Sequence, residues 1–441
     1  MNTILAQLRF NALDVQNRKM PLFREGQIFH GTVLKLMRDD LAVIEISRSP
    51  IVAKLEASLQ SGQEYWFVVK KKGDTPTLQV LPSLHAPKGT IQNEKNVQHL
   101  LRQLELPSTR TNIALVSHMQ KAGIPFTKSF VQTVSSFMQT TTIEHGLEVL
   151  NIMLERKFPV NAQIFQAIHR FITADKPMLT QLQQITSAIQ TQRGLPIHIK
   201  QLNEQLIHIM NKWTSSFRIE SEQSGTQRFE TVSLPLKEML SSFGLQHEKA
   251  VVKLFKNQLP IQELNQHHQE LKPILLALVK EEIPMQTKQL VQDTIQRLTG
   301  QQLLMKHDDQ ILQFLMQFPL PKQIGNDDAL IQFQGKSKKG EIDSDFCRIL
   351  FYLNLRKLRE TIVDVHIQNR VIAIHVYNEN HISNQTLEPF ILMLRHQLER
   401  NHYTLSSLKW INETTTKKLK GDVHSISFQP MSRYEGVDIK I

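Results

Sequence analysis

The feature that most constrains the fold is a pair of strand-like segments near the C-terminus, joined by two residues. Residues 361–368 place Thr361, Val363, Val365 and Ile367 on one face and Asp364, His366 and Gln368 on the other, and residues 371–377 form a mostly apolar run rich in β-branched residues. Asn369 and Arg370 lie between the two segments. Because asparagine tolerates positive φ and two-residue loops match the twist of paired strands, this pattern predicts an antiparallel β-hairpin.

The flanking segments extend this hairpin to a small α+β unit. An apolar run at 346–355 predicts a strand before it, and residues 405–411 predict another strand after it. Between them, residues 385–400 predict an amphipathic helix with Pro389 in its first turn. The apolar side of this helix comprises Leu387, Phe390, Ile391, Leu394 and Leu398. The expected fold is one helix packed on a mostly antiparallel sheet.

This arrangement resembles the C-terminal domain of the flagellar hook-length control protein family, as a divergent member, over part of residues 320–441. Leu355 stands where the family has a proline before the turn. Arg359 and His402 stand where the family has glycines, after the turn leucine and after the helix. The matching positions are Leu353, Leu358, Thr361, Val363, Val365, the helical segment Leu394-Arg395-His396-Gln397-Leu398, and Leu405.

The resemblance implies a non-enzymatic protein-interaction module with a defined partner. That partner is the cytoplasmic domain of the membrane protein that forms the gate of a flagellar (type III) export apparatus. The implied contact surface is a turn comprising Leu355, Arg356, Lys357, Leu358, Arg359 and Glu360. Two of the departures from the family, Leu355 and Arg359, lie in this turn.

A ruler function is not expected of this chain. Family members that measure length are expected to have an extended, poorly ordered centre. Here Leu, Ile and Phe recur at helical spacing across residues 95–319, which predicts a folded, all-α centre. The chain is therefore predicted to be a paralogue that keeps the domain without the measuring role.

The N-terminal part predicts a different architecture. A polar lead-in covers residues 1–23, and residues 24–82 predict a small β-barrel of OB or SH3 type. Closing the sheet into a barrel removes its unpaired strand edges, which suits so small a unit. The predicted strands are 27–37, 41–47, 51–55, 63–72 and 77–81.

This barrel supports an alternative function, the binding of RNA or DNA. Trp66 precedes Lys70, Lys71 and Lys72, and basic groups beside aromatic rings suit single-stranded nucleic acid. The formal net charge of +11 permits such a partner. The competing and favoured interpretation is that Trp66 packs inside the barrel while the lysines solvate a hairpin end.

One short sequence pattern recurs in the centre of the chain. Residues 83–94 are predicted to be a linker, and the polar loop at 221–232 is a candidate point of division of the helical region. An Ile-Pro or Phe-Pro step opens segments 124–127, 158–161 and 283–286. Each step predicts a helix start, capped by Thr127 and Asn161 in the first two cases. We expect a bundle of antiparallel helices rather than a stacked solenoid.

No pattern in the sequence indicates catalysis, a cofactor or a metal. Phosphate loops, dinucleotide fingerprints and nucleophile elbows are absent from the sequence, so no enzymatic activity is predicted. His267 and His268 are adjacent, so on a helix they would point about 100° apart and would rarely share an ion. The single cysteine, Cys347, excludes a disulfide framework and lies in an apolar strand pattern that predicts a buried thiol.

The sequence also predicts the compartment. The longest apolar runs are far shorter than the roughly 18 residues that a membrane-spanning helix needs. No secretory signal pattern is visible at the N-terminus. A cytoplasmic protein without direct membrane insertion is therefore expected.

Overall fold

The computed structural model describes most of the chain in two compact units. The described residues are 24–46, 49–57, 59–71, 75–81, 90–215, 241–245, 269–307, 311–320, 322, 324–325, 327–338 and 341–412. Of these, residues 24–165 belong to one unit, here called the barrel unit, and residues 166–412 to the other, here called the sheet unit. Among the described helices, none is long and apolar enough to cross a membrane. The predicted lead-in at 1–23 and the candidate division at 221–232 lie outside the described residues.

The barrel unit opens with five strands that form a closed barrel. They are β1 (Ile28–Leu36), β2 (Leu41–Ile46), β3 (Ser49–Leu55), β4 (Glu64–Lys71) and β5 (Thr77–Leu81). The strand order is β1-β2-β3-β5-β4, and pairing of β1 with β4 closes it. Strands β3 and β5 form the one parallel pair among these strands. The predicted small barrel is confirmed.

A helical segment of the same unit is joined to the barrel by backbone pairing. The helices are α1 (Thr90–Gln103), α2 (Arg110–Ala122), α3 (Lys128–Phe137), α4 (Ile143–Glu155) and α5 (Ala162–Ile172), the last of which continues into the sheet unit. Ile28 and Phe126 exchange two backbone hydrogen bonds of 2.7 and 2.9 Å. The predicted linker is wrong from Thr90 onward, because no glycine or proline interrupts a helix after Gly89.

The predicted caps at the Ile-Pro and Phe-Pro steps are confirmed. Thr127 Oγ1 accepts a hydrogen bond from the backbone N–H of Phe130 at 3.1 Å, at the start of α3. Asn161 Oδ1 accepts one from the backbone N–H of Gln163 at 2.7 Å, at the start of α5. Each cap satisfies a backbone donor that the first helical turn would otherwise leave unpaired.

The sheet unit contains four helices that pack in a ring. They are α6 (Met178–Thr191), α7 (Ile197–Ser215), α8 (Leu271–Leu278) and α9 (Met285–Leu304). Helix α6 packs on α7, α7 on α8, α8 on α9, and α9 on α6. Within the described residues, these four helices thus form the bundle that the sequence predicted.

A seven-stranded sheet follows in the same unit. Its order is β12-β11-β10-β9-β8-β7-β6, antiparallel throughout except for the parallel pair β11–β12. Helix α10 (Asn384–Arg400) connects that pair. The strands are β6 (Lys306–His307), β7 (Ile311–Phe318), β8 (Ala329–Lys338), β9 (Glu341–Leu355), β10 (Arg359–Gln368), β11 (Val371–Asn378) and β12 (Thr404–Asn412). The mostly antiparallel sheet is confirmed.

The predicted boundary between a helical region at 95–319 and a C-terminal domain at 320–441 is wrong. Strands β6 and β7 belong to the sheet although they precede residue 320. In β7, Gln313 and Gln317 stand four residues apart in an apolar run, a spacing that mimics the polar side of a helix. Met316 and Ile331 of the sheet also share one hydrophobic core with the four-helix bundle. The bundle and the sheet are therefore one folded body, and the division of the chain falls near residue 165.

Helix α10 covers the far end of the sheet. Its residues Ile391, Leu394 and Leu398 pack on a cluster that includes Ile374 and Leu405. The helix begins earlier than predicted, because Ser383 Oγ accepts a hydrogen bond from the backbone N–H of Thr386 at 3.3 Å. Pro389 therefore lies inside the helix, beyond its first turn, which corrects the prediction.

A buried guanidinium joins the bundle to the sheet. Arg297 on α9 is only 3% exposed. Its Nε donates to Gln317 Oε1 on β7 at 2.8 Å, and its Nη1 donates to the backbone oxygen of Lys176 at 2.8 Å. Its Nη2 pairs with the carboxylate of Asp328, just before β8. That carboxylate also accepts the backbone N–H of Met178, the first residue of α6, at 2.9 Å.

Replacement of Arg297 tests this junction. Arg297→Met should lower the free energy of unfolding by about 3–5 kcal/mol, because it leaves the Asp328 carboxylate buried without its charged partner. The free energy of unfolding should fall less in the double variant Arg297→Met/Asp328→Leu than in Arg297→Met. Urea unfolding followed by circular dichroism measures both. Arg170→Met is the control, since Arg170 forms a half-exposed pair with Asp293 and should cost about 1 kcal/mol or less. Equal losses of unfolding free energy in Arg297→Met and Arg170→Met would contradict the role of Arg297 in joining the bundle to the sheet.

The barrel unit should weaken in mild acid because of His30. Burial lowers the pKa of His30, and Glu64 at 3.9 Å opposes this without offsetting it. The unfolded chain therefore binds more protons, so stability is full above the unfolded pKa of about 6.5 and falls as the pH drops below it. Scanning calorimetry at pH 7.5 and 5.5 should show a smaller loss for His30→Gln than for the natural chain. An identical loss of thermal stability in the two proteins would show that His30 does not cause the weakening in acid.

Candidate functional site

The turn implied by the family resemblance is well defined in the structure. Strands β9 and β10 pair directly from Leu355↔Arg359 onward, with Arg356, Lys357 and Leu358 as the connection. Leu355 is half-buried and forms an isolated bridge with Gly325. The structure therefore brings the six predicted residues together as one compact hairpin end.

A buried asparagine on the neighbouring strand supports this turn. Asn378 on β11 is 1% exposed. Its Nδ2 lies 2.8 Å from the backbone oxygen of Leu358, 3.1 Å from that of Glu360 and 2.7 Å from Thr361 Oγ1. From the other side, the backbone N–H of Arg356 donates to the oxygen of Ile324 at 2.9 Å. With these carbonyl oxygens held from within, the turn has a fixed backbone.

The side chains of the turn form a basic, exposed tip. Arg356, Lys357 and Arg359 are exposed, as is Glu360, while Leu358 is half-buried. Three cations and one anion within five residues give this tip a net positive charge, and so a local positive potential. The tip can therefore attract an acidic surface.

Two of the eight described non-glycine residues with positive φ lie at positions that the family resemblance singles out. Arg359 has φ of 59° and His402 has φ of 62°, both in the left-handed region. These are the two positions at which the resembling family has glycine.

The residues proposed for nucleic-acid binding are arranged differently. Trp66 is 3% exposed, and its ring contacts those of His30 and Phe126 at centroid distances of 5.0 and 6.0 Å. Lys70 and Lys71 are exposed at the end of β4, and Lys72 lies outside the described residues. Trp66 lies between Tyr65 and Phe67, which belong to the core cluster of the barrel, so its side chain faces the other side of β4. It is buried, as the favoured interpretation expected, but outside the barrel core, and it could stack on a base only by leaving these contacts.

A second polar cluster lies on β9, β10 and β11, and sequence reasoning missed it. The Asp364 carboxylate is 3% exposed and accepts hydrogen bonds from Arg348 Nε at 2.9 Å and Arg348 Nη2 at 2.7 Å. His366 Nε2 lies 3.1 Å from Asp364 Oδ1. One ligand atom from each of Asp364, His366 and His375 lies within 4.8 Å of the other two. These three residues are the group that could hold a metal ion.

The electrostatics of this cluster keep the carboxylate ionised. Burial alone would raise the pKa of Asp364, but hydrogen bonds and charge from Arg348 and His366 outweigh it and lower the pKa to about 2. Burial raises the pKa of the neighbouring Tyr352 phenol, which stays protonated. The cluster thus offers one ionised carboxylate beside two histidine side chains.

The signal for this cluster was present in the hairpin. A two-residue turn at Asn369 and Arg370 fixes the register, so Asp364 must lie opposite His375, as the structure has it. His366 follows Asp364 by two residues and so shares its side of the strand. No short motif marks this arrangement, because its residues come from different strands.

Comparisons with known proteins give one relative of the whole chain. The chain is similar to the uncharacterized protein YlqG of Bacillus subtilis (strain 168), with 20% identity over 95% of this chain and 94% of the relative. No protein-family model and no solved structure matches the chain.

Glycine at position 359 tests the backbone of the turn. Arg359→Gly should raise the free energy of unfolding by about 1 kcal/mol, because it removes the steric penalty of a side chain at positive φ. Lys357→Gly is the matched control: position 357 is not among the residues with positive φ, so glycine there should destabilise through added chain entropy. Thermal unfolding by circular dichroism measures both. A loss of stability in Arg359→Gly would contradict the described turn.

Proposed function

We propose that this chain is a non-enzymatic protein-interaction module related to flagellar hook-length control proteins. Its target is the cytoplasmic domain of a type III export-gate membrane protein, and its contact surface is the basic tip at 355–360. The protein acts in the cytoplasm as a divergent paralogue that does not measure length.

The observation that carries this proposal is the backbone of the sheet unit. Left-handed conformations at Arg359 and His402 occur at the two family glycine positions, one in the contact turn and one after the helix. Of the eight described non-glycine residues with positive φ, these two lie at the family's glycine positions. The exposed cations of the supported turn supply the charge that an acidic partner would meet.

Burial of aromatic side chains weighs against the nucleic-acid alternative. The aromatic residues of the described barrel are 5% exposed or less: Phe29, Tyr65, Trp66 and Phe67. Single-strand binding by a barrel of this type relies on aromatic rings that stack on bases. Exposed lysines alone would give weak, salt-sensitive attraction without such a platform.

Isothermal titration calorimetry of the full chain tests the proposal directly. Saturable binding to the soluble domain of the host's export-gate protein is expected, with no comparable binding of a single-stranded oligonucleotide. Heat from the oligonucleotide alone, falling steeply with added salt, would favour the alternative and reject the gate as partner.

Charge reversal locates the contact. The triple variant Arg356→Glu/Lys357→Glu/Arg359→Glu should weaken gate binding at least tenfold, because like charges would then face each other. The matched control is Lys54→Glu/Lys70→Glu/Lys71→Glu, which makes the same net-charge change on exposed barrel residues. Circular dichroism checks that each variant is folded. Equal weakening in the two triples would show that only net charge matters and would remove the tip from the proposal.

A further inference from the structure

The hairpin β10–β11 carries three residues of the types that bind metal ions, and none of them belongs to the proposed contact turn at 355–360. Asp364 and His366 lie two residues apart on β10, and His375 lies opposite Asp364 on β11. The rings of His366 and His375 are 6.2 Å apart between centroids. We propose that Asp364, His366 and His375 form a binding site for a divalent transition-metal ion of the zinc type.

The distances are close to those of a bound site. Two imidazoles on one tetrahedral ion at the usual metal–nitrogen length have centroids about 5 Å apart. The observed 6.2 Å therefore needs a closure of about 1 Å, within reach of side-chain rotation at a partly exposed site. His366 Nε2 and Asp364 Oδ1, at 3.1 Å, already have the separation of neighbouring ligands.

The surroundings supply the support that metal ligands require. Arg348 holds the Asp364 carboxylate through two hydrogen bonds, which fixes its plane in the manner of an outer-shell partner. The His366 side chain is 47% exposed, so an ion and completing water molecules can enter from solvent. The site is thus fixed at the buried carboxylate and open at the imidazoles.

The donor set selects the class of metal. Imidazole nitrogen suits zinc, copper, nickel and iron, whereas magnesium and calcium prefer an all-oxygen set. The positive charge of Arg348 also weakens the Coulomb attraction on which those hard cations depend. Coordinate bonds from two imidazoles are less sensitive to that charge, so a transition metal is favoured.

The test uses the full chain, stripped of metal by chelator and dialysed. Zinc titrated against a chromophoric competitor should bind at about one ion per chain with the highest affinity. His366→Ala and His375→Ala should each weaken that binding at least tenfold, since each removes one of three ligands. His381→Ala and His396→Ala, two exposed histidines outside the cluster, are the matched controls and should leave it unchanged.

Cobalt provides a readout that does not depend on stability. Bound Co²⁺ should give visible absorption in the natural chain and in both controls, and that absorption should be lost in His375→Ala. Failure of the natural chain to bind zinc or to give this absorption would overturn the proposal, as would equal binding by all five proteins. The outcome is independent of gate binding, which is measured with a different partner.

Discussion

Arg297 is the residue on which the architecture of the sheet unit depends. A guanidinium that is 3% exposed must have its donors satisfied within the protein, because removal from water is costly. Its partners come from β7, from the residue before β8 and from the chain just ahead of α6. One side chain therefore fixes the bundle against the sheet, and Asp328 in turn caps α6. Those contacts require the helices and the strands to fold as one body.

The turn at 355–360 is attached through the sheet to the folded body of helices and strands, and this attachment makes the turn rigid. Strand β9 pairs with β8 on one side and with β10 on the other, so the hairpin end that carries the basic tip continues directly from the anchored strands. Asn378 then fixes the last few carbonyl oxygens from β11. A short, supported connection of this kind presents its charged side chains at little cost in backbone entropy on binding.

Local patterns in the sequence were sufficient for the elements whose period is unambiguous. The barrel strands, the hairpin at Asn369 and Arg370, and the caps Thr127 and Asn161 follow from turn residues and alternation alone. Strand β7 was missed because two glutamines at helical spacing concealed it, and only pairing with β8 determines its conformation. Tertiary context overrides local preference at such a segment.

The candidate sites also differ in how far local sequence patterns could predict them. The charged turn at 355–360 could be identified from the sequence because its residues lie in one stretch, and its role as a contact surface stays a prediction from the family resemblance. The cluster of Asp364, His366 and His375 depends on cross-strand register, and the role of Arg348 depends on a third strand. Trp66 was expected inside the barrel, whereas its contact with Phe126, in a distant part of the sequence, holds it on the other side of β4. Non-local contacts, which no short window contains, decided each of these cases.

Amide hydrogen exchange, read by mass spectrometry, is the most direct test that the tip is the recognition surface. The full chain would be compared alone and with an excess of the soluble domain of the export-gate protein. We predict slower exchange in peptides that cover 353–361 and 376–381, because the partner would shield the turn and its support. Unchanged exchange in those peptides, or protection confined to the barrel peptides around 64–71, would contradict the account.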